Sequence, residues 1–323
     1  MLSDRAPRCK TSVLRKCFTA GIVNHRTMRK KVLGVLGIVV PAVVLIGVVA
    51  LMVIASQGAS MPMIDTRGVI ADAQRDTLYL VVGIMLIVVI PVFIILFFVA
   101  LRYRESNTKA KYTPNWASSH RLETIWWGIP IAIVAVLSFV AWQTSHSLDP
   151  YRPIESDKPT LQVSVIALQW RWLFIYPEQG VASLGELAMP VDRPVAFTIT
   201  SDAPMNSFWI PQLGGQIYAM SGMSTKLHLE ANEPGDYRGV SANLSGEGHK
   251  SMTFAARAMD ETELKAWFDK AARSESLLDK NVYEELRKPT TDNPVTYFQL
   301  RDHALYDSVL SRYSHAHMTG GEE

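Results

Sequence analysis

Beyond residue 17 the chain has no cysteine; its two, Cys9 and Cys17, both fall in the N-terminal segment. That absence excludes a disulfide framework, thiolate zinc, iron–sulfur clusters and any copper–thiolate centre from the later part of the chain. Charge is scarce as well, at 19% of 323 residues, and a net value of +2 is too near balance for a nucleic-acid-binding surface. The scarcity is uneven. Residues 32–55, 78–101 and 125–144 carry no charge at all, whereas the second half is polar and mixed. Such asymmetry marks a membrane protein.

Residues 1–31 are basic and polar, and Met28-Arg-Lys-Lys ahead of an apolar run resembles the start of a secretory signal. Met28 is therefore the expected true start; a disordered cytoplasmic tail is the competing reading. Residues 32–56 are expected to be a long signal sequence or a first transmembrane helix. No cysteine follows in Ile54-Ala-Ser-Gln-Gly58, so no lipid anchor is expected there. Residues 78–101 are long enough to cross a bilayer at about 1.5 Å per residue. Pro91 is tolerated within such a span. Arg102, Arg104, Lys109, Lys111 and Arg121 then outnumber Glu105 and Glu123, which marks a cytoplasmic loop. The run 125–144 returns, with Trp126, Trp127 and Trp142 near its ends as interfacial anchors. Residues 78–144 thus predict a transmembrane helical hairpin, with everything after about residue 146 on the opposite side, the periplasm in a bacterium.

From Pro159 the texture changes. Short β-rich runs at 160–168, 169–176, 194–200, 226–230, 237–240 and 252–258 alternate with turns such as Pro177-Glu-Gln-Gly180 and Glu233-Pro-Gly235. Short strands at this spacing predict an all-β sandwich or barrel over 159–258. Residues 259–313 predict a helical, aromatic-rich C-terminal segment. Its helices fall near 260–271, 281–287 and 302–313, the first with acidic residues in its opening turn. Residues 314–323 read as a disordered tail.

One loop carries the chemical signal. Ser241-Ala-Asn-Leu-Ser245-Gly-Glu-Gly-His249-Lys-Ser-Met252 reads Ser-x3-Ser-x3-His-x2-Met. With cysteine at both serines, two thiolates, an imidazole and a thioether would converge, a soft donor set suited to copper. A neutral hydroxyl is a hard oxygen and cannot bridge as a thiolate does. The loop reads as a metal site without its metal. Taken singly, His249 is more often a hydrogen-bonded loop histidine and Met252 core filler.

Several motifs carry a family resemblance: His120-Arg-Leu-Glu123-Thr-Ile-Trp126-Trp-Gly-Ile-Pro130, Gln169-Trp170-Arg-Trp172, Phe174-Ile-Tyr-Pro-Glu-Gln-Gly180 and Met205-Asn206-Ser-Phe-Trp-Ile-Pro211. With the loop, they resemble subunit II of the haem–copper respiratory oxidases over residues 64–313. The resemblance implies a membrane α-helical hairpin plus an all-β cupredoxin-like Greek-key barrel with short C-terminal helices. In the cytochrome c oxidases of that family a dinuclear copper centre is held by two His, two Cys, a Met and a Glu carbonyl. Matched by motif, those positions are Asn206, Ser241, Asn243, Ser245, His249 and Met252, and only the last two keep the family's residue. Loss of the other ligands defines the quinol oxidases, and the motifs resemble most closely the proteobacterial branch of the cytochrome bo type.

The resemblance implies a non-redox subunit of a proton-pumping ubiquinol oxidase in the bacterial inner membrane. This chain would carry no cofactor, and haems and catalytic copper would belong to a partner subunit I. Further membrane subunits, lipid and ubiquinol are the implied partners; cytochrome c and nucleic acid are not. Glu123 is implied as the entrance of a proton path, against the plainer reading of a carboxylate favourably placed at a helix N-terminus. Trp170 and Trp172 are expected as strand residues serving packing and subunit contact. A non-redox membrane scaffold or assembly protein with a cupredoxin-like domain is the alternative.

Overall fold

The structure is a computed structural model that describes residues 61–104, 107, 108, 113 and 118–314. The expectations for 1–31 and 32–56, for Glu105, Lys109 and Lys111, and for the tail beyond Ser314 lie outside the described residues. The chain divides into two compact units. One contains residues 83–128 and the other residues 61–82 and 129–314 of the described part.

Among the described residues, two helices are long and apolar enough to cross a membrane: α1, Val69–Arg102, and α2, His120–Ser147. Both exceed the uncharged runs that predict them. The first turns of α1 lie in the β-bearing unit, and their charges are paired there. Asp72 accepts from Thr66 Oγ1 (2.5 Å) and from Asn232 Nδ2 (2.9 Å). Along 78–101 almost every large apolar side chain is exposed, which water does not favour and hydrocarbon does.

The β-domain is two sheets. The larger contains β1 (Leu161–Ala167), β2 (Trp172–Tyr176), β3 (Val181–Leu184), β5 (Val195–Ser201), β8 (Thr225–Leu229), β11 (Leu277–Leu278) and β12 (Thr296–Leu300). Its order is β11-β12-β3-β2-β1-β5-β8. The smaller contains β4 (Glu186–Pro190), β6 (Asn206–Trp209), β7 (Ile217–Ala219), β9 (Gly235–Ser241) and β10 (Thr253–Met259), in the order β4-β10-β9-β6-β7. Parallel pairing of β1 with β5 and of β4 with β10 ties distant segments into sheets that are otherwise mainly antiparallel.

Side chains alternate across each strand, and in the large sheet both faces are covered. Val163, Val165, Trp172 and Phe174 point between the sheets, where Trp172 meets Phe208 edge-on at 5.4 Å and Phe208 stacks on Phe254 at 5.2 Å. Ile166, Leu173 and Ile175 point outward and are covered by Tyr283, Phe298 and Val309 of the C-terminal segment. A strand buried on both faces reads as a continuous apolar run, which is why β2, Trp-Leu-Phe-Ile-Tyr, shows no polar alternation. The C-terminal segment is therefore more than helical. Besides α3 (Glu261–Ala272), α4 (Lys280–Leu286) and α5 (Leu305–Ser314) it supplies β11 and β12, and β12 pairs antiparallel with β3. Asp260 caps α3 by accepting from the amides of Thr262 and Glu263, both at 2.8 Å.

Trp170 departs from the strand expectation. It sits before β2 in a turn at φ 66°, a left-handed conformation that no strand residue adopts. The turn leaves its indole half-buried against the edge of the core, whereas Trp172 is completely buried.

Candidate functional site

The loop from Ser241 to Met252 joins β9 to β10, two neighbours in the small sheet, so its ends are held together by backbone pairing. Ser241 N–H donates to the Met252 carbonyl at 3.2 Å and Ala242 N–H to the Ser207 carbonyl at 3.0 Å. Residues 249–251 form a single 3-10 turn. These constraints bring Asn206, Ser241, Asn243, Ser245 and Met252 to one end of the sandwich.

Each of these polar groups has a neutral partner. Ser241 Oγ–H donates to Asn206 Oδ1 at 3.0 Å, with the Asn243 carbonyl alongside at 3.2 Å. Asn206 Nδ2 donates to the Pro204 carbonyl at 2.7 Å, and Asn243 Nδ2 to the Met205 carbonyl at 3.0 Å. Ser245 Oγ lies 3.9 Å from Met252 Sδ, and Met252 is fully buried in the inter-sheet core. His249 is half-buried, with a buried Nδ1 that meets no partner among the described residues.

Trp170 closes the loop from above. Its indole N–H donates to the Ser245 carbonyl at 3.0 Å, and a Cβ on Gly248 would stand 2.1 Å from its ring. Only glycine fits beneath it. Asn293, from the C-terminal segment, locks both sides by donating to the carbonyls of Trp170 (3.1 Å) and Ser251 (2.6 Å).

A dinuclear copper centre needs bridging thiolates, soft and anionic. The two serines here are neutral, and the hydroxyl of one is already committed to an amide oxygen. This donor set does not fit the group. Among the described residues no three His, Cys, Asp or Glu side chains come together as a metal site. Glu123 stands in the first turn of α2 with its side chain 53% exposed, and His120 Nδ1 lies 3.7 Å away. It belongs to the other unit.

Two further polar centres escape the sequence. Asp202 follows β5, and its carboxylate is wholly buried. It accepts from Arg287 Nε (2.7 Å), Tyr283 OH (2.7 Å), Tyr313 OH (2.5 Å) and Arg312 Nη1 (3.3 Å), all in the C-terminal segment. Burial first, and the adjoining carboxylate second, push the Tyr283 and Tyr313 phenols above their ordinary range. Glu186, likewise buried, accepts from Trp267 Nε1 (2.7 Å) and Tyr297 OH (2.8 Å) and pairs with Arg257 at 3.1 Å. Burial and then Glu186 push Tyr297 up to about 12. The sequence signal for both centres is faint, since the hydrogen-bonding tyrosines and tryptophan lie 81 to 111 residues away.

This assembly of sheets, loop and C-terminal segment has counterparts. A family model described as cytochrome c oxidase subunit II, periplasmic domain, matches residues 181–259. A second, described as the COX aromatic-rich motif, matches residues 273–317. The cytochrome bo(3) ubiquinol oxidase subunit 2 of Pseudomonas putida is 44% identical over 79% of this chain and 82% of its own. The protein of that name from Pseudomonas aeruginosa is 44% identical over 80% of this chain and 78% of its own. The ubiquinol oxidase subunit 2 of Acetobacter aceti is 44% identical over 80% of this chain and 84% of its own. The chain belongs to the ubiquinol oxidase subunit 2 family. The fold is accordingly two apolar helices, a cupredoxin-like β-domain and short C-terminal helices. The COX aromatic-rich motif covers the segment that supplies the partners of Asp202.

Proposed function

We propose that the chain is the non-redox subunit 2 of a proton-pumping ubiquinol oxidase, in which quinol oxidation is coupled to reduction of O₂ to water. The carrying observation is the set of neutral, hydrogen-bonded side chains at Asn206, Ser241 and Asn243, where the copper-bearing branch has ligands. Such a site has no group that cycles between oxidation states. It serves instead to hold the β9–β10 end of the domain rigid. A quinol dissolved in the membrane can pass electrons directly to a haem in the bilayer, so no relay through this domain is needed. Haems and catalytic copper would then sit in a partner subunit I. The basic 102–121 loop, the anchoring tryptophans and the apolar helices support insertion of 78–144 in the bacterial inner membrane, with the β-domain periplasmic.

Spectra of the purified complex test this reading. Haem signals with quinol-driven O₂ consumption, and no near-infrared band of a dinuclear copper, are expected. A complex without haem or oxidase activity would sink it. Glu123 supports a narrower proposal, an entrance for protons at the cytoplasmic end of α2, because its carboxylate is exposed at a helix terminus beside the apolar span. A Glu123→Ala complex is expected to keep its haem spectrum while turnover and proton pumping fall. Full retention of both rejects that role.

A further inference from the structure

A crevice of about 670 Å³ opens beside the N-terminal end of α1, at the point where the helix passes from charged turns to its uncharged run. Gln74, Arg75, Leu78 and Val81 recur at helical spacing and so form one wall. Trp209 and the Gly214-Gly215 turn form the other. The polar end lies at Thr66, Gln74 and Arg75, the apolar end at Leu78 and Val81. That order matches the change from headgroup to hydrocarbon along a membrane helix, and a half-buried tryptophan suits the same level.

Charge selects the occupant. Arg75 is the one charged side chain among the crevice residues. Its guanidinium donates to Thr66 Oγ1 (2.6 Å), pairs with Asp72 (3.1 Å) and reaches Asp76 (3.3 Å), which leaves an Nη2 N–H for a further acceptor. Asp72 is satisfied by Thr66 and Asn232 as well, whereas the Asp76 carboxylate is 70% exposed and, among the described residues, meets only Arg75. One cation between two carboxylates disfavours an anionic headgroup. It suits a phosphate and an ammonium presented together, the phosphate toward Arg75 and the ammonium toward Asp76.

We infer that this crevice binds the headgroup of a zwitterionic phospholipid with a primary ammonium, its acyl chains running down α1 past Leu78 and Val81. The inference rests on the reading of α1 as a membrane span. The test uses the purified oxidase complex in phosphatidylethanolamine nanodiscs with a trace of phosphatidylethanolamine bearing a photoreactive group near its head, and maps the labelled peptides. Residues 74–81 and 209–216 are expected to be labelled together. Ala242→Trp, which fills the crevice from an exposed position, should cut that labelling about fivefold or more, as loss of a charge-assisted contact implies. Asp76→Asn should abolish the preference for this probe over its phosphatidylglycerol counterpart. Three results overturn the inference: the crevice peptides stay unlabelled while residues 86–96 react, which means another subunit fills the crevice; the phosphatidylglycerol probe labels the wild-type crevice equally; or Ala242→Trp changes nothing. Absence of label anywhere on α1 overturns the membrane reading itself.

Discussion

The 241–252 loop and the Asp202 cluster are both polar centres sunk into one β-domain, and they are held in opposite ways. In the loop, neutral groups satisfy one another: Ser241 donates to the Asn206 side chain, and Asn206 and Asn243 donate to the backbone carbonyls of Pro204 and Met205. At Asp202 a buried carboxylate is held by two arginines and two tyrosines from the far end of the chain. Neutral pairs cost little to bury, and losing one leaves a modest penalty. A buried charge is costly unless its whole set of partners is present. The difference teaches where fold specificity resides. The 241–252 loop is ordinary packing, while the aromatic-rich C-terminal segment is clamped by the one wholly buried carboxylate of that cluster.

The sharpest way to break that contrast is Asp202→Ala. It leaves Arg287 and Arg312 with Glu284 alone and removes the acceptor of Tyr283 and Tyr313, and the expected loss is about 3 kcal/mol, the lower end for a buried pair because both arginines are partly exposed and keep that second partner. For a domain of this size that is a fall in Tm of about 6–12 °C. Limited proteolysis should then cut first within 277–314, where the clamp's partners lie. Asp202→Asn keeps acceptor and shape but removes the charge, and should fall between wild type and Asp202→Ala. A shift under about 1 °C for Asp202→Ala would erase the distinction between the two centres.

What the sequence shows of this arrangement follows from distance along the chain. The uncharged runs and the Ser-x3-Ser-x3-His-x2-Met spacing are local, so both long apolar helices and the loop are legible in the sequence. The N-terminal boundary of α1 was not, because its first turns are charged and are held by Thr66 and Asn232, the latter 160 residues away. Trp170 has the composition of a strand residue, but it lies in the turn into β2 at positive φ, with its ring against the glycines of a loop that follows much later. β12 was read as part of a helical segment because its pairing with β3 is remote. Asp202 and Glu186 are single carboxylates in unremarkable contexts, and only the folded C-terminal segment gives them meaning.

Within the loop the largest expected effect is steric. Gly248→Ala places a methyl group 2.1 Å from the Trp170 ring, and overpacking of this kind costs about 1–3 kcal/mol. Combining it with Trp170→Ala should cost less than the sum of the two single changes, since the methyl then has room. Full additivity in thermal melts would show that the ring does not close the loop. Ser241→Ala is milder. It deprives Asn206 Oδ1 of its donor and should cost about 1 kcal/mol, with quinol oxidation by the complex unchanged. A loss of turnover at full haem content would mean that the loop does more than pack.

Glu186 is the intermediate case: a buried carboxylate like Asp202, with a single arginine and two neutral donors. Tyr297 reports on it by pH. Burial, with the adjoining carboxylate, pushes the phenol up to about 12, from an ordinary value near 10. The folded state thus holds its proton where the unfolded chain releases it, so this contribution to stability is complete below pH 10 and is lost as pH rises toward 12. Tyr297→Phe removes the hydrogen bond and the titration together. At pH 7 the variant should be less stable by about 1 kcal/mol. Because only the wild type loses the phenol's contribution above pH 10, the gap between the two melting temperatures should close between pH 10 and 12. A gap that stays constant across that window would mean that Tyr297 does not titrate against Glu186, and that the smaller centre behaves like the neutral loop rather than like the Asp202 clamp.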